Sequence, residues 1–153
     1  MKLRPFISQW LPVLAWMLVI FAASTDMMSA EHTSRFIGPF LRWLVPDISP
    51  ATIAGVQLLV RKAAHLTEYA ILGALFARAF LRGHGKAAAR YIFLTWLICL
   101  AWAALDEFHQ SFVASRTGSP IDVMIDATGA LAGLGIYWLV TRKARATPVK
   151  KWA

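Results

Sequence analysis

Four apolar stretches dominate this chain, near Gln9 to Thr25, Ala63 to Leu81, Tyr91 to Glu107 and Ile121 to Val140. A helix rises about 1.5 Å per residue, so segments of this length suit a hydrocarbon layer roughly 30 Å thick. Lipid offers the backbone no hydrogen-bond partner, and a chain built this way crosses as helices. The expected fold is therefore an all-α membrane protein of about four transmembrane helices. Hydrophobic residues make up 58% of the 153, more than one soluble core of that size needs.

The net charge of +8, from sixteen Lys and Arg against eight Asp and Glu, fits this picture through its placement. Cations gather at Lys2 and Arg4, in the turn Arg82 to Arg90, and in the tail with Arg142, Lys143, Arg145, Lys150 and Lys151. An N-in, C-in topology with four spans puts those three segments in the cytoplasm, as the positive-inside rule requires. Residues 142–153 then form a basic cytoplasmic tail. No nucleic-acid partner is expected, because neither stacking-aromatic nor zinc-module patterns occur.

Lys2 and Arg4 followed by an apolar run and Ala22-Ala23-Ser24 also resemble a secretory signal. The run continues past Ser24 to a full span length, and three more spans follow, so a retained first helix is preferred. The single cysteine, Cys99, lies mid-span and reads as a small buried hydrophobe.

Residues 27–60 form the longest connection, an outer segment expected to hold one or two interfacial helices. Ser34 is a candidate cap for a helix carrying Phe36, Ile37, Phe40, Leu41, Trp43 and Leu44 with Arg35 and Arg42. Gly38-Pro39 is expected to bend or split it, and Pro46-Asp47 to end it. Ser49-Pro50 pairs a cap with a first-turn proline, so a second helix is expected from there toward Arg61. Ser119-Pro120 opens the last span in the same way. Gly129 and Gly133 have the spacing of close helix contact, with packing inside one chain preferred over dimerisation.

The ionisable residues carry the functional signal. Lys62, His65, Glu68 and Tyr69 fall on one helical face, as do Asp106, His109 and Gln110, while Asp122 and Asp126 stand one turn apart. Alternating span directions bring all three groups, with Ser24 and Asp26, to the outer level. The tally there is three cations (Arg61, Lys62, Arg116), five acids (Glu68, Asp106, Glu107, Asp122, Asp126) and two histidines (His65, His109). Charged groups in lipid cost on the order of 3 kcal/mol each, so they are expected to face inward and pair. The excess of acid is met by a protonated histidine or acid, or by a bound cation.

Several readings compete. A purely structural lock, such as Arg116 with Asp122 or Lys62 with Asp106, explains some of the charge but not two histidines and surplus acids. A divalent metal is possible but not favoured, since HExxH and paired-Cys spacings are missing and cations lie nearby. No nucleophile elbow surrounds Ser111 or Ser115. Ion transport is disfavoured because the inner half of each span is nearly free of charge.

At these positions the sequence resembles the VanZ-like family of bacterial membrane proteins. The resemblance lies in Arg61-Lys62-x-x-His65-x-x-Glu68-Tyr69-x-x-Leu72-Gly73, in Asp106-Glu107-x-His109-Gln110-x-Phe112 with Arg116, and in Asp122-x-x-x-Asp126-x-x-Gly129. It implies a single transmembrane domain over residues 1–153, a multi-pass location in the bacterial cytoplasmic (inner) membrane, and a possible link to glycopeptide, chiefly teicoplanin, resistance. The expected activity is binding of an envelope amphiphile such as a lipid-linked cell-wall precursor or phospholipid headgroup, with its chemical alteration left open. Arg61, Lys62 and Arg116 are candidates to hold its phosphate or carboxylate. His65 or His109 is the candidate acid or base, oriented by Glu68, Asp106 or Asp122. Glu107, Gln110 and Asp126 complete the candidate ligand-binding set. The alternative is a non-enzymatic module whose ion pairs serve helix packing or the binding of a partner or glycopeptide.

Overall fold

The structure, a computed structural model, describes residues 3–25, 30–81, 88–113 and 118–146. All regular structure among them is helical: α1 (Leu3–Ala23), α2 (Ala30–Leu44), α3 (Pro50–Leu81), α4 (Ala88–Gln110) and α5 (Pro120–Ala146). Among the described residues three stretches are long and apolar enough to cross a membrane, Phe6–Ala23 in α1, Arg90–Gln110 in α4 and Pro120–Arg142 in α5. The expected span Ala63 to Leu81 lies within α3, whose 32 residues exceed the length of a crossing. Arg61, Lys62, His65, Glu68 and Arg78 dilute its apolar character.

Both serine–proline pairs cap helices. The Thr52 amide donates to Ser49 Oγ at 3.1 Å and the Ile121 amide to Ser119 Oγ at 3.2 Å, with proline at the first helical position where its missing donor costs nothing. Other boundaries differ from expectation. The helix opened at Pro50 does not stop near Arg61 but continues to Leu81, so α2 is the one separate helix among the described residues of the 27–60 segment. That helix starts at Ala30, which places Ser34 inside it rather than at its cap, and it runs through Gly38-Pro39 unbroken. Packing overrides the local break: a Cβ at buried Gly38 would lie 3.9 Å from Ile53 Cγ2 and 4.0 Å from Gln57 Nε2 of α3, so α3 supports α2 across its proline. The opposite face of α2 presents Phe36, Phe40 and Trp43 outward, uncovered by protein.

Helix α3 is central and touches each of the other four, most extensively α5. The closeness follows from small residues. A Cβ at Gly129 or Gly133 would collide with the carbonyl oxygen of Leu66 or Ala70, and one at Gly73 with that of Ala130. The glycine pair thus brings α5 onto α3 within the chain. Beside this seam Val13, Ile20, Tyr69, Leu72, Phe76, Cys99, Ala103 and Ala130 form the buried core.

Helix α1 is fastened to α3 in three places. Trp10 packs edge-on against Phe80 at 4.9 Å, and Trp16 Nε1 donates to the Glu68 carbonyl at 2.8 Å. Pro12 has no amide hydrogen for the Ser8 carbonyl four residues back; Arg78 Nη2 donates to that oxygen at 2.5 Å. Arg78 therefore has a specific partner on α1. The burial pattern inverts that of a soluble protein: Asp106, Glu107, Asp122, Asp126, His65 and Gln110 are buried, whereas Leu18, Phe108 and Met124 are exposed. Apolar atoms outside and polar atoms within suit a lipid solvent.

Candidate functional site

The polar groups collect where α1 ends, α4 ends and α5 begins, against the middle of α3. Two connected clusters result. In the first, Lys62 Nζ donates to Asp122 Oδ1, and Arg61 Nη2 stands 3.7 Å from Asp122 Oδ2. One turn deeper, His65 Nδ1 lies 3.1 Å from Asp126 Oδ1. The four-residue periodicity of both helices accounts for the pairing in register: Arg61, Lys62 and His65 on α3 oppose Asp122 and Asp126 on α5. Glu107 of α4 joins from the side, its Oε2 accepting the Ser119 amide at 2.8 Å.

The second cluster links α1 to α4. Ser24 Oγ donates to Asp106 Oδ2 at 2.8 Å, and Gln110 Nε2 donates both to that oxygen and to Ser24 Oγ, each at 3.2 Å. Tyr69, fully buried one turn below His65, belongs to the same region.

Several expected partnerships are corrected here. Lys62 pairs with Asp122, not with Asp106, because the glycine seam brings α5 rather than α4 onto that face of α3. His65 is oriented by Asp126, not by Glu68, Asp106 or Asp122. Glu68 contributes its backbone carbonyl to α1. His109 sits apart from His65, its ring 4.7 Å from that of Phe21. Arg116 and Asp26 lie outside the described residues, so the suggested Arg116–Asp122 pair does too. Ser24 and Tyr69 were not assigned roles from sequence, although the i,i+4 relation of Tyr69 to His65 and the position of Ser24 at the end of the first span are legible signals.

The network leaves buried polar atoms without a partner among the described residues. They include Asp106 Oδ1, Glu107 Oε1, Gln110 Oε1, Asp126 Oδ2, the Tyr69 hydroxyl and Arg61 Nε. Unmet groups of this kind are costly in a pure structural lock. They comprise both acceptors and donors.

Inverted burial, a glycine-packed bundle and a polar cluster at one end define the chain as a helical membrane protein. It belongs to the VanZ/LLP1 family, whose family model matches residues 9–141. Comparisons with curated proteins and with solved structures found no match.

Proposed function

We propose that this VanZ-like protein crosses the membrane four times, with α3 as the second span and the polar cluster toward the outer face. There it binds the phosphate-bearing headgroup of an envelope amphiphile. The observation that carries this reading is Arg61 and Lys62 converging on Asp122 beside the buried His65–Asp126 pair. Both cations are partly exposed while the carboxylate is almost wholly buried, so they are reachable by a ligand. A phosphate offers Lys62 a charged acceptor and Arg61 a bidentate one, using the buried Nε that lacks a partner.

Held by Asp126 at Nδ1, the His65 ring, when neutral, keeps a lone pair at Nε2. That lone pair is available to a proton or to a Lewis acid, one at a time. An apolar groove of about 370 Å³, lined by Phe80, Tyr91, Leu94, Ile98 and Ala101, runs along α4 below the cluster and suits an acyl or prenyl chain.

The test is lipid retention by the protein in nanodiscs, read by native mass spectrometry with undecaprenyl phosphate, phosphatidylglycerol and uncharged diacylglycerol as competing probes. The reading expects a phosphate lipid to be retained and lost about tenfold (~1.4 kcal/mol) in Arg61→Ala and Lys62→Ala. Equal retention of diacylglycerol, unchanged in the variants, contradicts it. A link to glycopeptide resistance rests on the family resemblance and is tested by teicoplanin susceptibility of cells with and without the chain.

The second reading, a structural ion-pair network serving helix packing, is favoured by one observation: both Asp122 oxygens already meet cations. It expects stability, but not lipid retention, to depend on Lys62.

A further inference from the structure

The chemistry of His65, Glu107 and Asp122 goes beyond an anion site. All three are buried, they come from α3, α4 and α5, and one potential ligand atom of each lies within 4.8 Å of the others. Ligands of a tetrahedral ion with bonds of about 2.1 Å stand roughly 3.4 Å apart, so side-chain shifts of about 1 Å close the set. We propose that His65, Glu107 and Asp122 form a site for one divalent transition ion, zinc or manganese. This rests on the headgroup reading for its purpose, not for its geometry.

Three independent features point to a cation. Glu107 is 4% exposed, yet while its Oε2 accepts the Ser119 amide its Oε1 meets no donor. A buried carboxylate oxygen left this way is a ready ligand. His65 has the arrangement of a metal-bound imidazole, one nitrogen hydrogen-bonded to a carboxylate and the other without a hydrogen bond among the described residues. Charge also argues for it. The buried acids Asp106, Glu107, Asp122 and Asp126 exceed the cations Arg61 and Lys62 that the described residues bring to this end.

The ligand set selects the class of ion. One imidazole with two carboxylates suits zinc or manganese better than calcium or magnesium, which prefer oxygen alone. Lys62 and Arg61 do not block it, because each carboxylate oxygen has two lone pairs and Asp122 can serve cation and metal together. Three protein ligands leave a coordination position open. A phosphate oxygen of the headgroup fits there, with Arg61 and Lys62 beside it.

The test uses the full chain in nanodiscs, stripped with EDTA and titrated with Zn²⁺ or Mn²⁺ alone, with bound metal measured by mass spectrometry. The expected result is about one equivalent per chain, lost in His65→Asn and Glu107→Gln and kept in Asp47→Asn, a control at an exposed acid in the α2–α3 turn. Co²⁺ loading supplies a second readout, since nitrogen and carboxylate ligation shifts its visible absorption. If the variants fail to fold, the wild-type stoichiometry and cobalt spectrum decide. No metal on the wild type, or metal retained equally by well-folded His65→Asn and Glu107→Gln, overturns the proposal. Phosphate-lipid retention by a wild-type chain that takes up no metal on titration removes the metal alone and spares the headgroup reading. Loss of that retention with metal still bound does the reverse.

Discussion

His65 and Asp126 are 61 positions apart in the chain, yet Nδ1 and Oδ1 meet at 3.1 Å in the bundle interior. Both side chains are buried. Asp126→Ala should therefore destabilise the protein by about 3 kcal/mol, because it strands the imidazole without its partner. His65→Leu with Asp126→Leu should cost clearly less than the sum of the single changes, since apolar groups then meet each other. Denaturant unfolding in mild detergent, followed by tryptophan fluorescence, measures the cycle.

Lys62 and Asp122 provide a test of partner identity. Lys62→Asp and Asp122→Lys should each lower the melting temperature, and the double exchange should recover most of the loss. Exchange of Lys62 with Asp106 should recover none, because Asp106 is held by Ser24 and Gln110 on the α1 side. The recovered double variant should still fail to retain phosphate lipid, since the cation has moved to α5. Recovered stability with lipid retention unchanged in all three variants would favour the structural reading.

The seam between α3 and α5 admits no side chain at Gly133. Gly133→Ala should cost about 1–3 kcal/mol, the usual range for overpacking, because the new methyl meets the Ala70 backbone rather than a side chain that can rotate away. Gly135→Ala meets nothing within 4 Å and should be neutral or slightly stabilising through helix propensity. Thermal unfolding of the two variants side by side gives the comparison.

At the far end of the bundle, Arg78→Ala should destabilise by about 1 kcal/mol through loss of its bond to the Ser8 carbonyl. Pro12→Ala in that background should narrow the loss, because the new amide can donate to the same oxygen. The measurement is again a double-variant unfolding cycle.

These cases show what the sequence made readable. The i,i+3 and i,i+4 spacing grouped Lys62 with His65 and Asp122 with Asp126, and the serine–proline pairs marked two helix starts. The glycines announced a close contact within the chain. Spacing along one helix fixes which residues share a face but not which neighbour that face meets. The orientation of His65 by Asp126, and the union of Glu107 with His65 and Asp122, depend on how far α5 and α4 rotate about α3. The Gly129 and Gly133 contacts set that rotation for α5, and no single-helix pattern contains it. The continuity of α2 through Pro39 was hidden for a similar reason, since support from Ile53 and Gln57 lies in another helix.

The account depends most on the ends of α1 and α4 and the start of α5 sharing one outer level. In a Cys99→Ala background, single cysteines at Thr25, Ser111, Ser119, Arg90 and Thr141 can be labelled in intact cells with a membrane-impermeant maleimide. Thr25, Ser111 and Ser119 should react from outside, and Arg90 and Thr141 only after permeabilisation. Labelling of Thr25 and Ser111 from opposite sides, or of Ser111 and Arg90 from the same side, would contradict it.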